Sequence, residues 1–383
     1  MKSDPQFPAP NRREFLGNSA GLLLGGVLGS SLLSAGESSA AYGASQLPPA
    51  SSASPRRIII DTDPGVDDAF AILLALSSPE LKVEAITPVS GNVPLALTLP
   101  NALRLVEIAG RTDIPVAAGA SVPLTRRLIT ASYVHGEDGL GGVNFPPPTT
   151  KPVSETATEI IRRIVRAHPG EVTIVAIGPL TNIATALRSD GELASMIPNL
   201  VLMGGSISGG NITPAAEFNF YVDPEAAYVV FHSGIPIVMV GLDVTRKVQL
   251  RDDDAAALEA GGNPVSKAAG RIARSTIAQY RRTGFPGFPM MHDPLALATL
   301  LDPTLVKLKD FYVNIEIEGE LTAGESVAYD HAPVRHSAPL ESGGTLDGRN
   351  ADEPFHTNTK VAVDVDADRF MRLLVGRLTG RTS

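Results

Sequence analysis

The chain contains no cysteine and no tryptophan, and only 5% of its 383 residues are aromatic. Without thiols there are no disulfides and no thiolate chemistry, and zinc or an iron–sulfur cluster is disfavoured as a partner. Excess positive charge is missing too. Thirty-two Lys and Arg against 41 Asp and Glu leave a net charge of −9, which argues against DNA or RNA as a partner. Repeats, coiled-coil heptads and long charge runs are absent. No apolar stretch is fit for stable membrane insertion: Gly21-Leu22-Leu23-Leu24-Gly25-Gly26-Val27-Leu28-Gly29 is too short and too rich in glycine. The 43% hydrophobic content suffices for one large core or two ordinary domains.

At the amino end, Asn11-Arg12-Arg13-Glu14-Phe15-Leu16 is a twin-arginine pattern ahead of that weakly hydrophobic stretch. Ser38-Ser39-Ala40-Ala41 then supplies small residues suited to signal-peptidase cleavage. The expectation is a twin-arginine signal peptide over residues 1–41, a Ser-, Ala- and Pro-rich flexible linker over 42–56, and a folded domain over 57–383. The absence of cysteine suits a cytosolic chain and equally one exported already folded; the amino-terminal pattern favours export, to the periplasm or beyond the cell.

Four carboxylates crowd the eight residues Asp61-Thr62-Asp63-Pro64-Gly65-Val66-Asp67-Asp68. They follow the β-branched run Ile58-Ile59-Ile60, which reads as a buried strand, and precede the helix-like Ala69–Leu76. The acids therefore belong at the carboxyl end of a strand, where open α/β sheets bind ligands. Like charges this close raise one another's pKa, so a cation is expected among them, and oxygen donors select a hard divalent ion. A plainer role exists for Asp67 and Asp68, which also suit the positive end of the helix that follows.

From Arg57 onward strand-like and helix-like segments alternate. Leu81–Val89, Val172–Ile177, Leu200–Met203 and Ile237–Val240 read as strands, with a short strand and turn at Pro115–Gly119. Leu95–Ala109 and Thr156–His168 read as helices, and further helices open at Thr181 and His292. Asp252-Asp253-Asp254 reads as a solvated cap on a helix over Ala255–Ala260. The pattern implies an α/β fold, doubly wound and Rossmann-like, with a mainly parallel sheet and the site at the strand carboxyl ends. Polar residues recur at those ends. Asn92, Asn182, Asn211, Glu217, Asn219 and His292-Asp293 join the first acids in outlining one cleft.

Taken in order, the Asp61–Ala69 motif, Gly91-Asn92-Val93, His135-Gly136, Gly178-Pro179-Leu180-Thr181-Asn182, Met203-Gly204-Gly205, Gly210-Asn211, Ala216-Glu217-Phe218-Asn219 and His292-Asp293-Pro294 resemble a nucleoside hydrolase of the inosine–uridine-preferring type. The resemblance covers roughly residues 57–376. It implies hydrolysis of the N-glycosidic bond of a small-molecule ribonucleoside, and a homo-oligomer. It implies calcium held by Asp63, Asp68, Asp293 and the main-chain carbonyl of Ile177, with Asp63 as general base toward a water nucleophile. Asp67 and Asn219 would hold ribose hydroxyls, Asn92, Asn211 and Glu217 would complete the sugar grip, and Asp61 would orient the metal ligands from behind. His292 is the candidate leaving-group acid, since an ordinary imidazole titrates near neutrality. It also suits a helix-start histidine bonded to backbone. His135 either lines the site or closes a turn. Tyr280 falls where some members of the family stack on or hydrogen-bond the base. The surrounding segment Gln279–Met291, with its run of Gly, Pro and Phe, fits no such pattern, so purine, pyrimidine or mixed preference stays open. Residues 331–356, polar and Gly-rich, read as an inserted surface loop.

Two other classes fit part of this. Phosphohydrolases of the haloacid dehalogenase type also begin with a strand and Asp-x-Asp, but carry Thr or Val four residues after the first Asp, where this chain has Gly65. A nucleoside-binding protein without turnover would lack a base or a metal ligand, whereas Asp63, Asp68 and Asp293 are all present.

The export reading is checked with a reporter fused to residues 1–45. The reporter should leave the cytoplasm, and should stop doing so when Arg12 and Arg13 are both changed to Lys. Export that survives the Lys pair contradicts the twin-arginine route.

Overall fold

A β-branched run buried on both faces belongs in the interior of a parallel sheet. Ile58, Ile59 and Ile60 lie there, fully buried in β1 (Arg56–Thr62). The computed structural model describes residues 54–331 and 356–381. After β1 come β2 (Leu81–Pro88), β3 (Val172–Ala176), β4 (Leu200–Met203), β5 (Ile237–Val240), β6 (Val306–Ile315), β7 (Ser326–Tyr329) and β8 (Thr359–Val365). They form one sheet in the order β2-β1-β3-β4-β5-β8-β6-β7. From β2 to β8 neighbours are parallel, while β6 runs antiparallel to β8 and β7 antiparallel to β6. The sheet is mainly parallel, as the sequence implied.

Strand alternation feeds two separate cores, one on each face. Ile58, Ile60, Val175, Val201, Met203, Val238 and Val240 face one of them. Their alternates Ile59, Ile174, Ala176, Leu200, Leu202, Ile237 and Met239 face the other. The helix Val66–Leu76 has ten buried residues and packs against the helix His292–Ala298, so it is covered well beyond its sheet-facing side. That explains why it is apolar almost all round rather than amphipathic.

The sheet ends differently from the sequence reading. β6 and β7 were not anticipated, because β6 interleaves exposed Lys307, Lys309 and Asp310 with buried Val306, Phe311, Val313 and Ile315. Pro115–Gly119 forms no strand; Val116 makes a lone parallel bridge to Ile86. Asp252, Asp253 and Asp254 do not precede their helix but form the first turn of Asp252–Glu259, where their charge suits the helix dipole. A twenty-residue helix, Pro264–Thr283, absorbs the start of the segment that carried no readable pattern. Among the described residues no helix is long and apolar enough to cross a membrane. The expected signal peptide, nearly all of the linker and nearly all of the 331–356 insertion lie outside the described residues.

Phe220 is fully buried and meets Phe231 edge-on at 5.6 Å, and a Cβ on Gly204 would come within 2.4 Å of its ring. Phe220→Ala should therefore lower stability by about 3–5 kcal/mol in denaturant titration. A loss below about 1 kcal/mol would mean the second core collapses around the void.

Candidate active site

β1 lies between β2 and β3, so the chain leaves it in one direction and returns across it to continue in the other. At such a reversal the following loops diverge and open a crevice above the strand carboxyl ends. The Asp63–Asp68 turn and the Ile177–Gly178 corner after β3 sit there.

The turn is organised around Asp68. Its Oδ1 accepts from Thr62 Oγ1 at 2.6 Å and from the Asp63 N–H at 3.2 Å. Its Oδ2 accepts from the Gly65 N–H and from Asn92 Nδ2, both at 2.9 Å. Asp63 Oδ2 accepts from the Asn92 N–H at 2.7 Å, while its Oδ1 is buried with no hydrogen-bond partner. Carboxylate oxygens of Asp67, Asp68 and Asp293 lie within 4.8 Å of one another, all buried. Burial first, and the neighbouring carboxylates second, push Asp63 and Asp293 well above the usual carboxylate range. The same two causes bring Asp67 to about 7. Burial also raises Asp68, against its many donors.

Asp61 is separate from this group. Alternation along β1 turns its side chain to the face opposite Ile60, where Oδ2 accepts from Thr87 Oγ1 at 2.6 Å and Asn182 Nδ2 at 2.9 Å. It makes no hydrogen bond to the other three acids of the motif, so it bears on Asp63 only through the backbone at the end of β1. Burial pushes its carboxyl up to about 7. Asn182, read from sequence as part of the cleft, is occupied with Asp61 and the Ala120 N–H.

The remaining expected residues, with Asp67 and Asp293, do line one cavity. Glu217 caps the short helix Phe218–Val222, accepting from Asn219 N, Gly205 N and Phe220 N; burial nevertheless brings it to about 7. Asn219 Nδ2 donates to the carbonyls of Met203 at 3.2 Å and Ile177 at 3.4 Å, so the Ile177 oxygen faces the cavity floor. Asn211 is exposed at the mouth, its Oδ1 accepting from Phe218 N. Asn92 directs its amide N–H toward Asp68 and the Asp63 carbonyl, which makes it an organiser of the acids as well as a cavity residue.

The two histidines behave as neutral groups. His135 Nδ1 accepts from the Val66 N–H at 3.1 Å, which puts the ring proton on Nε2. Burial, then His292, lower its pKa to about 3. It thus both lines the site and anchors a turn. His292 opens the helix His292–Ala298, with Nδ1 2.7 Å from Thr245 Oγ1, and burial, then Arg246, lower its pKa to about 4. Over the cavity, Tyr280 meets Phe285 in a tilted arrangement at 5.1 Å, and Phe285 stacks on Tyr133 at 6.4 Å. Burial, then Asp67, raises the Tyr280 phenol to about 12.

Thr245, Arg246, Tyr133 and Phe285 were not singled out from sequence. Thr245 and Arg246 follow β5, so the rule that strand ends carry the site points to them. Tyr133 sits in the four-residue helix Ser132–His135 and Phe285 in a loop, both too short for spacing to carry a signal.

A family profile described as inosine–uridine preferring nucleoside hydrolase matches residues 58–372. Pyrimidine-specific ribonucleoside hydrolases RihA of Escherichia coli and Shigella flexneri are 45% identical over 323 residues, covering 84% of this chain and 97% of theirs. Among solved structures, a plant nucleoside hydrolase superposes with a TM-score of 0.76 at 35% identity, covering 85% of this chain and 99% of its own. A purine-preferring ribonucleoside hydrolase from Gardnerella vaginalis gives 0.75 at 31% identity, covering 85% and 99%. The doubly wound sheet with its buried acid cluster is that of an N-ribosylhydrolase. The chain belongs to the inosine–uridine preferring nucleoside hydrolase family.

Two glycines leave room for the Asp63 carboxylate: a Cβ on Gly91 would fall 2.0 Å from its Oδ2, and one on Gly178 would fall 2.5 Å from its Oδ1. Gly91→Ala should lower turnover by at least about 10²-fold, the scale of a misplacement near 1 Å, in a protein that circular dichroism shows to be folded. Near-normal turnover would show that Asp63 is not held by this corner.

Proposed function

We propose that the enzyme cleaves ribonucleosides, pyrimidine ones preferentially, with calcium bound among Asp63, Asp68, Asp293 and the Ile177 carbonyl. The observation that supports a metal is the buried Asp67, Asp68 and Asp293 cluster, whose carboxylates repel one another unless a cation lies among them; Asp63, with Oδ1 buried and unpartnered, is pushed up by Asp68 and Asp67 in the same way. The donors are oxygens, in keeping with a hard ion that accepts six to eight of them. When bound, the ion would supply the charge that lets these acids ionise together and would acidify a coordinated water.

The chain's own groups then divide the work. Asp63 takes the proton of the attacking water. Asp67 and Asn219 hold the ribose diol at the cavity floor, and Asn92, Asn211 and Glu217 hold the rest of the sugar. The carboxylate field stabilises the positive charge that builds on the ring as the C1′–N bond breaks. His292, fixed through Nδ1 by Thr245, would pass a proton from Nε2 to the departing base; because burial and Arg246 hold its pKa at about 4 in the empty cleft, it must take up that proton with substrate bound, beside the carboxylates. Tyr280, with Phe285, forms the aromatic wall against the base, and His135 is the second imidazole beside Asp67. The pyrimidine preference is supported by the 45% identity to pyrimidine-specific relatives, against 31% to a purine-preferring one. The twin-arginine pattern supports action outside the cytoplasm, and the family supports a homo-oligomer.

Base release from a panel of purine and pyrimidine nucleosides, with and without a calcium chelator, tests the reading. Uridine or cytidine should be cleaved faster than inosine, chelation should abolish release, and calcium should restore it better than zinc. Full activity after verified metal removal contradicts the metal assignment. His292→Ala should cost about 10²–10⁴-fold with a nucleoside, the range of acid–base catalysis. With a p-nitrophenyl riboside, whose leaving group departs as a stable anion, the cost should be about tenfold or less. Equal losses on both substrates would assign His292 to positioning Asp293.

A further inference from the structure

Among the described residues lining the cavity, Arg246 is the one lysine or arginine. It follows the helix Leu242–Thr245, is half-buried, and donates through Nη2 to the main-chain carbonyl of Gly210. A guanidinium carries five N–H donors, and this contact with a neutral oxygen leaves most of them unused. Arg126 and Arg369, also half-buried, are neutralised by Glu225 at 2.9 Å and Asp302 at 2.7 Å; Arg104 is not, but it lies outside the cavity. Among the described residues no carboxylate stands within ion-pair distance of Arg246. Asp243, three residues before it, is turned away to Ser206, Ile207 and Ser208. An unneutralised cation facing a substrate cavity is a recognition element for an anion.

Sugar stereochemistry says which anion. In a ribonucleoside the 2′,3′-diol occupies one face of the ring, while the base and C5′ rise from the other face at opposite ends. In the proposed pose, with the diol on the acids and the base against Tyr280 and Phe285, C5′ is left for the part of the cavity lined by Asn211, Ile212 and Glu217. Arg246 binds the Gly210–Asn211 loop, and beside it the Asn211 Oδ1 is already taken by Phe218 N, so its amide N–H₂ remains to be presented. Asn211 is exposed, so this corner is accessible to a hydrated group; the carboxylate that shares it is Glu217, whose charge burial suppresses by raising its pKa to about 7.

We propose that Arg246 and the Asn211 amide form a subsite for a 5′-phosphate, making ribonucleoside 5′-monophosphates a second class of substrate. The inference rests on the N-ribosyl hydrolysis reading with the diol at the acid cluster. The reaction is the same substitution. The water oxygen bonds to C1′, and the C1′–N bond breaks with its electron pair leaving on the base nitrogen. The base takes up one proton and the enzyme carboxylate one from the water, to be shed to solvent, and the products are free base and ribose 5-phosphate. No oxidant or second reactant is needed.

The test uses the calcium-loaded enzyme and matched pairs, uridine with its 5′-monophosphate and inosine with its own, following free base and ribose 5-phosphate together. Phosphate retained on the sugar product marks direct cleavage, whereas dephosphorylation followed by cleavage would yield ribose and inorganic phosphate. The wild-type enzyme should convert at least one monophosphate to base and ribose 5-phosphate. Arg246→Gln should lower kcat/KM for the monophosphate about 10- to 10²-fold more than for its nucleoside, the scale of a lost charge-assisted pair, and Arg246→Lys should recover part of the difference. Nucleosides cleaved while monophosphates are neither cleaved nor competitive overturns the subsite. Equal losses on both members of a pair overturn it too, and leave Arg246 as a tie for the Gly210 loop. Failure to cleave any nucleoside is a different outcome, which removes the underlying reading and the subsite with it.

Discussion

The structure depends on keeping several carboxylates together in a dry crevice. An isolated buried charge costs on the order of several kcal/mol even after relaxation, and like charges add to that. The fold offsets the cost unevenly. Asp68 receives four donors, from Thr62, Asp63, Gly65 and Asn92. Asp63 receives one at Oδ2 and none at Oδ1, and Asp293 meets the field of all three neighbours. The polypeptide thus fixes the positions of the acids and leaves their charge unsatisfied. That combination could hold a metal cation, and it does not favour stability of the empty site.

Everything nearby follows from holding that arrangement. The reversal of strand order at β1 opens the crevice, and the apolar helix Val66–Leu76, packed on His292–Ala298, brings Asp67 and Asp68 against Asp293. Glycines at 91 and 178 let the chain approach Asp63 closely. Polarity then changes from floor to mouth: carboxylates below, the two imidazoles and aromatic rings along the walls, and Arg246 with Asn211 near the opening.

Much of this was legible in the sequence because it rests on local rules. Ile58–Ile60 followed by Pro64-Gly65 marks a buried strand and its turn, and polar residues at successive strand ends mark a cleft whatever the fold's finer order. The illegible parts depend on the third dimension. Which face Asp61 takes is decided by the pleat at a strand end, so a residue two positions from Asp63 serves Thr87 and Asn182 instead. β6 hides behind exposed charges near the sheet edge, where only alternate residues are buried. His292 was judged by an ordinary imidazole pKa, whereas burial and Arg246 hold it low; neither can be seen from the neighbours of His292 in the chain. The aromatic wall joins Tyr133 to Phe285 across nearly half of the folded chain, beyond the reach of any spacing argument.

The central claim is that the acid cluster is a cation site built into the fold. Calorimetric titration of calcium into the metal-stripped enzyme measures this without reference to turnover. One ion should bind per chain, and Asp293→Asn and Asp68→Asn should each weaken or abolish that binding while the protein stays folded. Wild-type protein that takes up no calcium, or binds it equally well with either acid neutralised, would contradict the account.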